Sequence, residues 1–247
     1  KTIVDADGRG SGVVLRLCLA ATTRIDGFTI RNGNATSGGG IYCSASSPTI
    51  ANNVITANSA ASGGGIYCSS SSSPAIVNNV ITANSAASGS GIYSNASSPS
   101  IVNNTILGNT ASDSGGAIHC YASSPSIVNT IVAFNSSGIR CDDATGHPML
   151  RNSCVYGNPA YDFFGLPNPT GSGGNISADP GFADPRYGDW HIQPGSPCVN
   201  AGDDTAVQPD WLDLDGQARI QGIHVDMGAD ESDGAVRPET TPNVIVR

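Results

Sequence analysis

Charged side chains are scarce in this sequence. They make up 13% of its 247 residues, about half of the usual share of roughly 25%. The only lysine is Lys1, and between Arg31 and Arg140 the sole charged residue is Asp113. The acidic residues number 20 and the basic residues 11, so the net charge is −9. Because nucleic acids and anionic membranes are bound through clusters of basic residues, the sequence argues against both as partners.

Long apolar runs and closely paired cysteines are also missing. No run approaches the ~20 apolar residues of a transmembrane helix, and no signal peptide is present. The first residues, "KTIVDADGRG", have the character of mid-domain sequence, so we expect any targeting segment to lie outside this chain. The seven cysteines include no C-x-x-C pair, which excludes the usual spacing of a cysteine zinc site.

Repetition is what the sequence has in abundance. A Ser-Pro pair recurs every 25 or 26 residues, at Pro48, Pro74, Pro99 and Pro125. A nine-residue frame such as "IVNNVITAN" is found at Ile50, Ile76, Ile101, Ile127 and Leu150, and a degenerate copy, "IDGFTIRNG", begins at Ile25. Periods of this length indicate a solenoid, in which each unit is stable only when stacked on its neighbours.

Each repeat has the character of short strands. The runs are rich in Ile, Val, Thr and Tyr and are bounded by Gly, Pro, Ser and Asn, which indicates strands rather than helices. The predicted fold is therefore an all-β parallel β-helix of about six coils, with equivalent residues stacked about 4.8 Å apart. We place the coils in residues 1–158, a C-terminal coil or capping region in 159–233, and a tail or linker in 234–247.

Stacking turns the repeats into columns of equivalent residues. Asparagine tolerates the left-handed bend of a corner, and stacked amides can bond along the axis. The repeats contain two asparagine columns: Asn52, Asn78, Asn103, Asn129, Asn152 and Asn58, Asn84, Asn109, Asn135, Asn158.

In "GIYCS" the side chains alternate, which predicts an inward column of Cys43, Cys68, Ser94, Cys120 and Cys141. We favour stacked thiols there, because parallel side chains give poor disulfide geometry. Three further predictions are that Cys18 extends this column, that Cys154 faces the core and that Cys198 pairs with a neighbour.

The outward column of the same strands is the strongest candidate for ligand binding. It contains Tyr42, Tyr67 and Tyr93, followed by His119 and Arg140. A line of aromatic residues can stack on sugars, and the coil spacing resembles the repeat of a polysaccharide, so the three tyrosines are candidate glycan-binding residues. The alternative is that tyrosine suits exposed strands and that cross-strand stacking is its only role.

Candidate catalytic residues occur where charge returns, in "IRCDDATGHPMLRN". They are Asp142, Asp143, His147, His119 and Arg140. The "DD" and "GH" pairs resemble in part the polygalacturonase-type hydrolases, but here they are three residues apart and the "NTD" and "RIK" motifs of that family are absent. One interpretation is an acid–base or metal site on coils five and six; the other is a loop where the helix changes register. Glycoside hydrolysis needs two placed carboxyl groups, which the central coils do not supply.

The C-terminal region carries the most specific motifs. The strings "ADPGFADPRYGDWHIQPGSPCVNAGD" and "DLDGQARIQGIHVDMGADE" lie between Asp179 and Glu231. They resemble the end of a bacterial secreted family, the right-handed parallel β-helix proteins of the pectate-lyase-like superfamily with a choice-of-anchor type C-terminal region. "GGGIY" and "IDGFTIRNG" resemble the same family. The resemblance implies a right-handed helix and a secreted or cell-surface location, but it implies no reaction.

This region is predicted to cap the solenoid. Phe182, Trp190, Ile192 and Val199 are expected to cover an open end of the helix, where strand edges and apolar side chains would otherwise be exposed. Its acidic residues have two interpretations. Carboxylates with a glycine turn suit Ca²⁺, which makes Asp213, Asp215, Asp226 and Asp230 candidate ligands; alternatively, Arg219 pairs with a carboxylate and locks the cap.

These observations lead to one main functional hypothesis and two alternatives. The main hypothesis is a secreted or cell-surface β-helix with a structural, adhesive or glycan-binding role and no catalysis on the central coils. The first alternative is a polysaccharide lyase or glycoside hydrolase with its site near coils five and six. The second is an ice-binding protein, for which only Thr56 and Thr82 form an outward threonine stack. No feature of the sequence defines the oligomeric state.

Overall fold

The computed structural model describes residues 1–17, 22–142 and 146–236. These residues form a parallel β-helix in which each coil contributes one strand to each of several parallel sheets. The two longest sheets contain seven strands each, which corresponds to about six stacked coils. The predicted fold class is therefore confirmed.

Four parallel sheets and one hairpin contain the described strands. Sheet 1 is Thr2–Asp5, Phe28–Arg31, Val54–Thr56, Val80–Thr82, Thr105–Leu107, Ile131–Ala133 and Cys154–Tyr156. Sheet 2 is Val13–Arg16, Ile41–Ser44, Ile66–Ser69, Ile92–Asn95, Ile118–Tyr121, Ile139–Cys141 and Phe163–Phe164. Sheet 3 is Arg24–Asp26, Thr49–Ala51, Ala75–Val77, Ser100–Val102, Ser126–Val128 and Met149–Arg151, and sheet 4 is Asn34–Ser37, Ser59–Ser62, Ser85–Ser88 and Thr110–Gly115. The antiparallel hairpin pairs Phe182–Asp184 with Asp189–Ile192.

Helical structure is minor. The two helices of the described residues are short 3₁₀ turns, Pro185–Tyr187 and Asp204–Ala206. In that part of the chain no helix has the length and apolar character needed to cross a membrane.

The core of the solenoid is a set of isoleucine columns. In the third coil, Ile66 of sheet 2, Ile76 of sheet 3 and Ile81 of sheet 1 all have no exposed surface, and each stacks on an equivalent isoleucine above and below. Burying one such side chain contributes about 1.5–3 kcal/mol. The repeat is thus a packing requirement, because each isoleucine needs a neighbour of the same shape on the next coil.

The repeated "GGG" is explained by corner geometry. Gly63 has a φ of 67°, in the left-handed region that glycine occupies without strain. At Gly64, an added Cβ would lie 2.6 Å from the carbonyl oxygens of both Ser85 and Ser90 on the next coil. Glycine therefore suits these positions, because a Cβ at Gly64 would crowd the carbonyl oxygens of the next coil.

The two predicted asparagine columns have different roles. The column of Asn52, Asn78, Asn103, Asn129 and Asn152 occupies left-handed corners with φ between 44° and 56°. The column of Asn58, Asn84, Asn109, Asn135 and Asn158 forms a buried amide ladder along the axis, with amide-to-amide hydrogen bonds of 2.9–3.1 Å. A second ladder, which the sequence analysis missed, joins Asn53, Asn79 and Asn104.

The cysteine column faces the core as predicted. Cys43, Cys68, Ser94 and Cys120 are fully buried, and Cys141 is almost so. Their strands pair in register, and the four cysteines are thiols, as predicted. The residue beside Cys43 on the preceding coil is Leu15, so leucine and not Cys18 extends the column. Cys18 itself lies outside the described residues.

The first part of the predicted C-terminal coil or capping region extends the solenoid, whereas its four predicted capping residues, Phe182, Trp190, Ile192 and Val199, pack against sheet 1 instead of an end. The parallel pairing continues beyond residue 158, through Phe163–Phe164 and a bridge from Ile176 to Cys154. The chain then runs back along the outer face of sheet 1, where Ala229 packs with Val54, Val80 and Leu107. This placement follows from the sequence of sheet 1, because outward residues such as Val54, Val80 and Leu107 are apolar and need a cover.

Hydrogen bonds to the corners hold this segment in place. Asn78 donates to the Leu212 carbonyl at 2.8 Å, and the Ala229 amide donates to Thr105 Oγ1 at 2.9 Å. Asn129 forms two bonds with the backbone of Asp203. The segment therefore lies against several coils rather than against the last one only.

Cys154 is buried, but not in the interior of the coils. It lies at an outward position of sheet 1 and packs in a second apolar cluster with Cys198, Ile192 and Met227. The Cys154 and Cys198 thiols are hydrogen-bonded to each other, and both are free thiols. The prediction that Cys154 faces the helix core is thus wrong in its location, since the C-terminal segment is what buries it.

Candidate functional site

The three tyrosines of sheet 2 form a continuous aromatic stack. The ring centroids of Tyr42 and Tyr67 are 5.5 Å apart with an interplanar angle of 4°, and those of Tyr67 and Tyr93 are 5.3 Å apart at 16°. All three side chains are partly exposed. The geometry follows from the in-register parallel pairing of their strands.

Both ends of the stack are covered. The Arg16 guanidinium lies over the Tyr42 ring, 5.1 Å from its centroid, in a cation–π arrangement. At the other end, the His119 ring meets Tyr93 edge to face at 4.9 Å. The ring faces are therefore occupied by neighbouring side chains, and the column presents the hydroxyl-bearing ring edges to solvent. Asn95 donates to the Tyr67 hydroxyl at 3.3 Å.

His119, Arg140 and Asp142 come together where the stack ends. His119 Nε2 lies 2.7 Å from Asp142 Oδ2, and Arg140 Nε donates to Asp142 Oδ1 at 2.5 Å. The sequence predicted an outward His119, but its side chain is only 5% exposed. This is because Tyr93 and Asp142 lie on either side of it. Arg140 also lies over the Phe164 ring, at 5.1 Å.

The electrostatics of this trio keep Asp142 ionised. Burial raises the pKa of Asp142, but hydrogen bonds from Arg140 and His119 outweigh that effect and the net pKa lies below its ordinary value. Burial lowers the pKa of His119, against the opposing influence of Asp142. His119 Nδ1 is buried and has no hydrogen-bond partner in the described structure. The trio therefore resembles a structural ion pair more closely than an accessible acid–base pair.

The other two predicted catalytic residues do not join this trio. The His147 side chain is exposed, and its backbone amide donates to Ser124 Oγ at 3.2 Å. Among the described residues no hydrogen bond links the His147 imidazole to His119, Arg140 or Asp142. Asp143 lies outside the described residues.

The predicted arginine lock is present in the C-terminal segment. Arg219 Nη2 lies 3.1 Å from Glu231 Oε1, and each side chain is 1% exposed. The same nitrogen donates to the carbonyls of Asp226 and Gly228. Burial raises the pKa of Glu231 to about 8, although Arg219 acts in the opposite direction. Breaking this contact would be strongly destabilising, because the buried Arg219 guanidinium would lose its partner.

The four aspartates predicted as calcium ligands divide into two pairs, of which the first, Asp213 and Asp226, bonds backbone amides. Asp213 accepts from the backbone amides of Asp215, Gln217 and Glu231. Asp226 accepts from the amides of Asn200 and Ser232. Their carboxylates thus shape the turns of the segment.

The other two aspartates converge on a histidine that the sequence analysis missed. In the described residues, the one group of side chains able to hold a metal contains His191, Asp215 and Asp230, with donor atoms all within 4.8 Å of one another. A usable signal was the alternation of Asp189 and His191 on one strand, which places both side chains on the same face. Asp189 bonds His191 Nδ1.

The fold and the stacked columns define the class: a parallel β-helix protein with a tyrosine column on one sheet and a folded-back C-terminal segment. The family model for the right-handed β-helix region matches residues 11–177, two thirds of the chain, and the protein belongs to this family. No curated protein and no solved structure matches the chain.

Proposed function

We propose that this protein is a secreted or cell-surface β-helix without catalytic activity that binds an extended glycan along the tyrosine column. The observation that carries the proposal is the in-register stack of Tyr42, Tyr67 and Tyr93, whose hydroxyl edges line one sheet. A polymer lying parallel to the helix axis would meet the same group once per coil. The coil spacing of about 4.8 Å is comparable to the length of one sugar unit.

The mode of binding that the geometry supports is hydrogen bonding to ring edges. Sugar stacking on ring faces requires open faces, and those of Tyr67 are occupied by Tyr42 and Tyr93. Phenolic hydroxyls both donate and accept hydrogen bonds. The neighbouring outward column adds Ser44, Asn95 and Tyr121, none of which carries a charge, whereas Arg16 and Arg140 lie at the two ends of the tyrosine column. A neutral polysaccharide therefore fits the uncharged middle of the column.

Replacing single hydroxyls tests this proposal. We expect Tyr67→Phe and Tyr93→Phe to keep the aromatic stack and the fold but to weaken glycan binding on an array at least tenfold when combined. Tyr187→Phe is the matched control, because Tyr187 is exposed on the C-terminal segment, away from sheet 2. Unchanged binding in the double variant would refute the hydroxyl-edge site. Absence of binding by the unaltered protein to every glycan would leave a purely architectural role.

A polysaccharide lyase or hydrolase is the second candidate, favoured by the contact of His119 and Arg140 with Asp142 beside the tyrosine column. An arginine could neutralise a uronate, and a histidine could move a proton. Burial of His119 and the single carboxylate of the trio count against it. Turnover of pectin, alginate or glycosaminoglycans that disappears in Asp142→Asn would support this function. Turnover that survives the substitution would exclude this site.

Ice binding has no comparable support. Thr56 and Thr82 do pair in register, but Thr82 is only 9% exposed, so the pair does not form an open threonine surface.

A further inference from the structure

The C-terminal segment contains a three-residue cluster whose donor atoms point at one position. His191 is on the hairpin strand Asp189–Ile192, Asp215 lies in the turn that follows Asp213, and Asp230 lies in the final described stretch. His191 Nε2 is 3.0 Å from Asp215 Oδ2 and 3.9 Å from Asp230 Oδ1. Ligands of a tetrahedral metal with bond lengths of about 2.0–2.2 Å lie roughly 3.3 Å apart, so these separations bracket the spacing of a metal site.

Asp230 supplies an independent reason to expect a cation. Its side chain is only 4% exposed. Its Oδ2 accepts a hydrogen bond from the Ile192 amide at 3.0 Å, whereas its Oδ1, the atom directed at His191, is buried without a hydrogen-bond partner in the described residues. A buried carboxylate oxygen without a partner is costly, and a bound cation would remove that cost.

The histidine is oriented for metal binding by Asp189. Its Nδ1 contacts the Asp189 carboxylate, so in the neutral tautomer that carries its proton on Nδ1 the Nε2 lone pair faces Asp215 and Asp230. A carboxylate that holds the second nitrogen of a ligating histidine is the usual outer partner of a metal site. An Nε2 that faces two carboxylates requires a positive charge between them, either a bound cation or a proton on the ring.

We propose that His191, Asp215 and Asp230 bind a divalent transition-metal ion of the Zn²⁺ type, with Asp189 as the positioning residue. The imidazole ligand distinguishes the site from Ca²⁺ and Mg²⁺ sites, which are built from oxygen. Three protein ligands leave a fourth position for water, and Asp215, with 37% of its side chain exposed, lies on the open side. The ion would join the hairpin, the turn and the final stretch.

Titration of Zn²⁺ into the chelator-treated 247-residue protein, followed by calorimetry, tests the proposal. We expect one ion per chain, a loss of at least a hundredfold in affinity for His191→Gln and Asp230→Asn, and a 10- to 100-fold loss for Asp189→Asn. His224→Gln is the matched control: His224 also contacts an aspartate, Asp204, but lies outside the cluster and should bind Zn²⁺ normally.

Co²⁺ absorption of the unaltered protein provides a readout that needs no variant. An intense visible band typical of four-coordinate Co²⁺ is expected, and Zn²⁺ should abolish it. The proposal is overturned if the protein takes up no Zn²⁺ at one equivalent, if His191→Gln binds as well as the control, or if Ca²⁺ displaces Zn²⁺ at equal concentration. The first result would identify the cluster as an ion-pair network around a protonated His191.

Discussion

Replacing Asn84 with alanine measures how much the buried amide ladder contributes to stability. Asn84 is 1% exposed. Its Oδ1 accepts from the Asn58 backbone amide at 3.0 Å and from Asn58 Nδ2 at 2.9 Å, and its Nδ2 donates to the Ile55 carbonyl at 2.9 Å. The ladder bond to Asn109 Oδ1 is also lost, but that oxygen still accepts from the Asn84 backbone amide.

The expected cost follows from the groups that lose their partner. Asn58 Nδ2 keeps one bond, to the Ile30 carbonyl, so two buried hydrogens of Asn58 are left unpaired, one on the backbone and one on the side chain. At about 1–3 kcal/mol for each, the free energy of unfolding should fall by roughly 2–6 kcal/mol. With a urea m-value of about 2–3 kcal/mol per molar, the midpoint should fall by about 0.7–3 M, as followed by circular dichroism.

Ser85→Ala is the control for this experiment. Ser85 is the next residue of the same coil and its side chain is exposed, so the midpoint should change little. If Asn84→Ala shifts the midpoint no more than Ser85→Ala does, the reasoning fails. The ladder would then be a consequence of stacking, not a source of stability.

Two further predictions concern the corner and the buried histidine. In Gly64→Ala the new Cβ would meet the Ser85 and Ser90 carbonyl oxygens at 2.6 Å, so we expect urea unfolding to show a loss of about 1–3 kcal/mol or more in the free energy of unfolding. Gly195→Ala is the control and should be neutral, because a Cβ there meets nothing within 4 Å. Equal effects of the two substitutions would contradict the steric argument. Burial lowers the pKa of His119, so the unfolded state takes up a proton first as pH falls below about 6.5, and the stability that is present above this pH is lost below it. The urea midpoint should therefore fall less between about pH 7.5 and 5.5 in His119→Phe than in the unaltered protein, and identical losses would show that His119 does not titrate differently on folding.

The solenoid could be predicted because its contacts are encoded by repetition. Residues one period apart become neighbours, so the isoleucine, asparagine and cysteine columns follow directly from the alignment of copies. The alignment did not show which asparagines occupy left-handed corners and which form the amide ladder. That depends on the backbone conformation at each asparagine, which the repeat alone does not reveal. The second ladder, of Asn53, Asn79 and Asn104, was missed for a related reason. The two asparagines of each "NN" pair have different roles: Asn78 occupies a left-handed corner, whereas Asn79 belongs to the ladder.

The C-terminal segment could not be placed from the sequence, because its contacts have no period. Asn78 bonds to Leu212, 134 residues away, and Thr105 bonds to Ala229, 124 residues away. The acidic pattern correctly indicated an arginine lock. However, local spacing could not reveal which aspartates bond backbone amides, as Asp213 does, and which join His191.

The repeat also limits where function can lie in this molecule. The stacking that stabilises each coil engages its asparagine and isoleucine side chains in contacts with the next coil, and the apolar residues on the outer face of sheet 1 are covered by the C-terminal segment. Ligand contacts on the coils must therefore use outward residues whose polar atoms are not already bonded to the neighbouring coils. The tyrosine column meets this condition, since its ring faces stabilise the stack while the hydroxyl groups remain at the edge. A metal site, by contrast, needs different residues converging on one point, which only the non-repetitive segment provides.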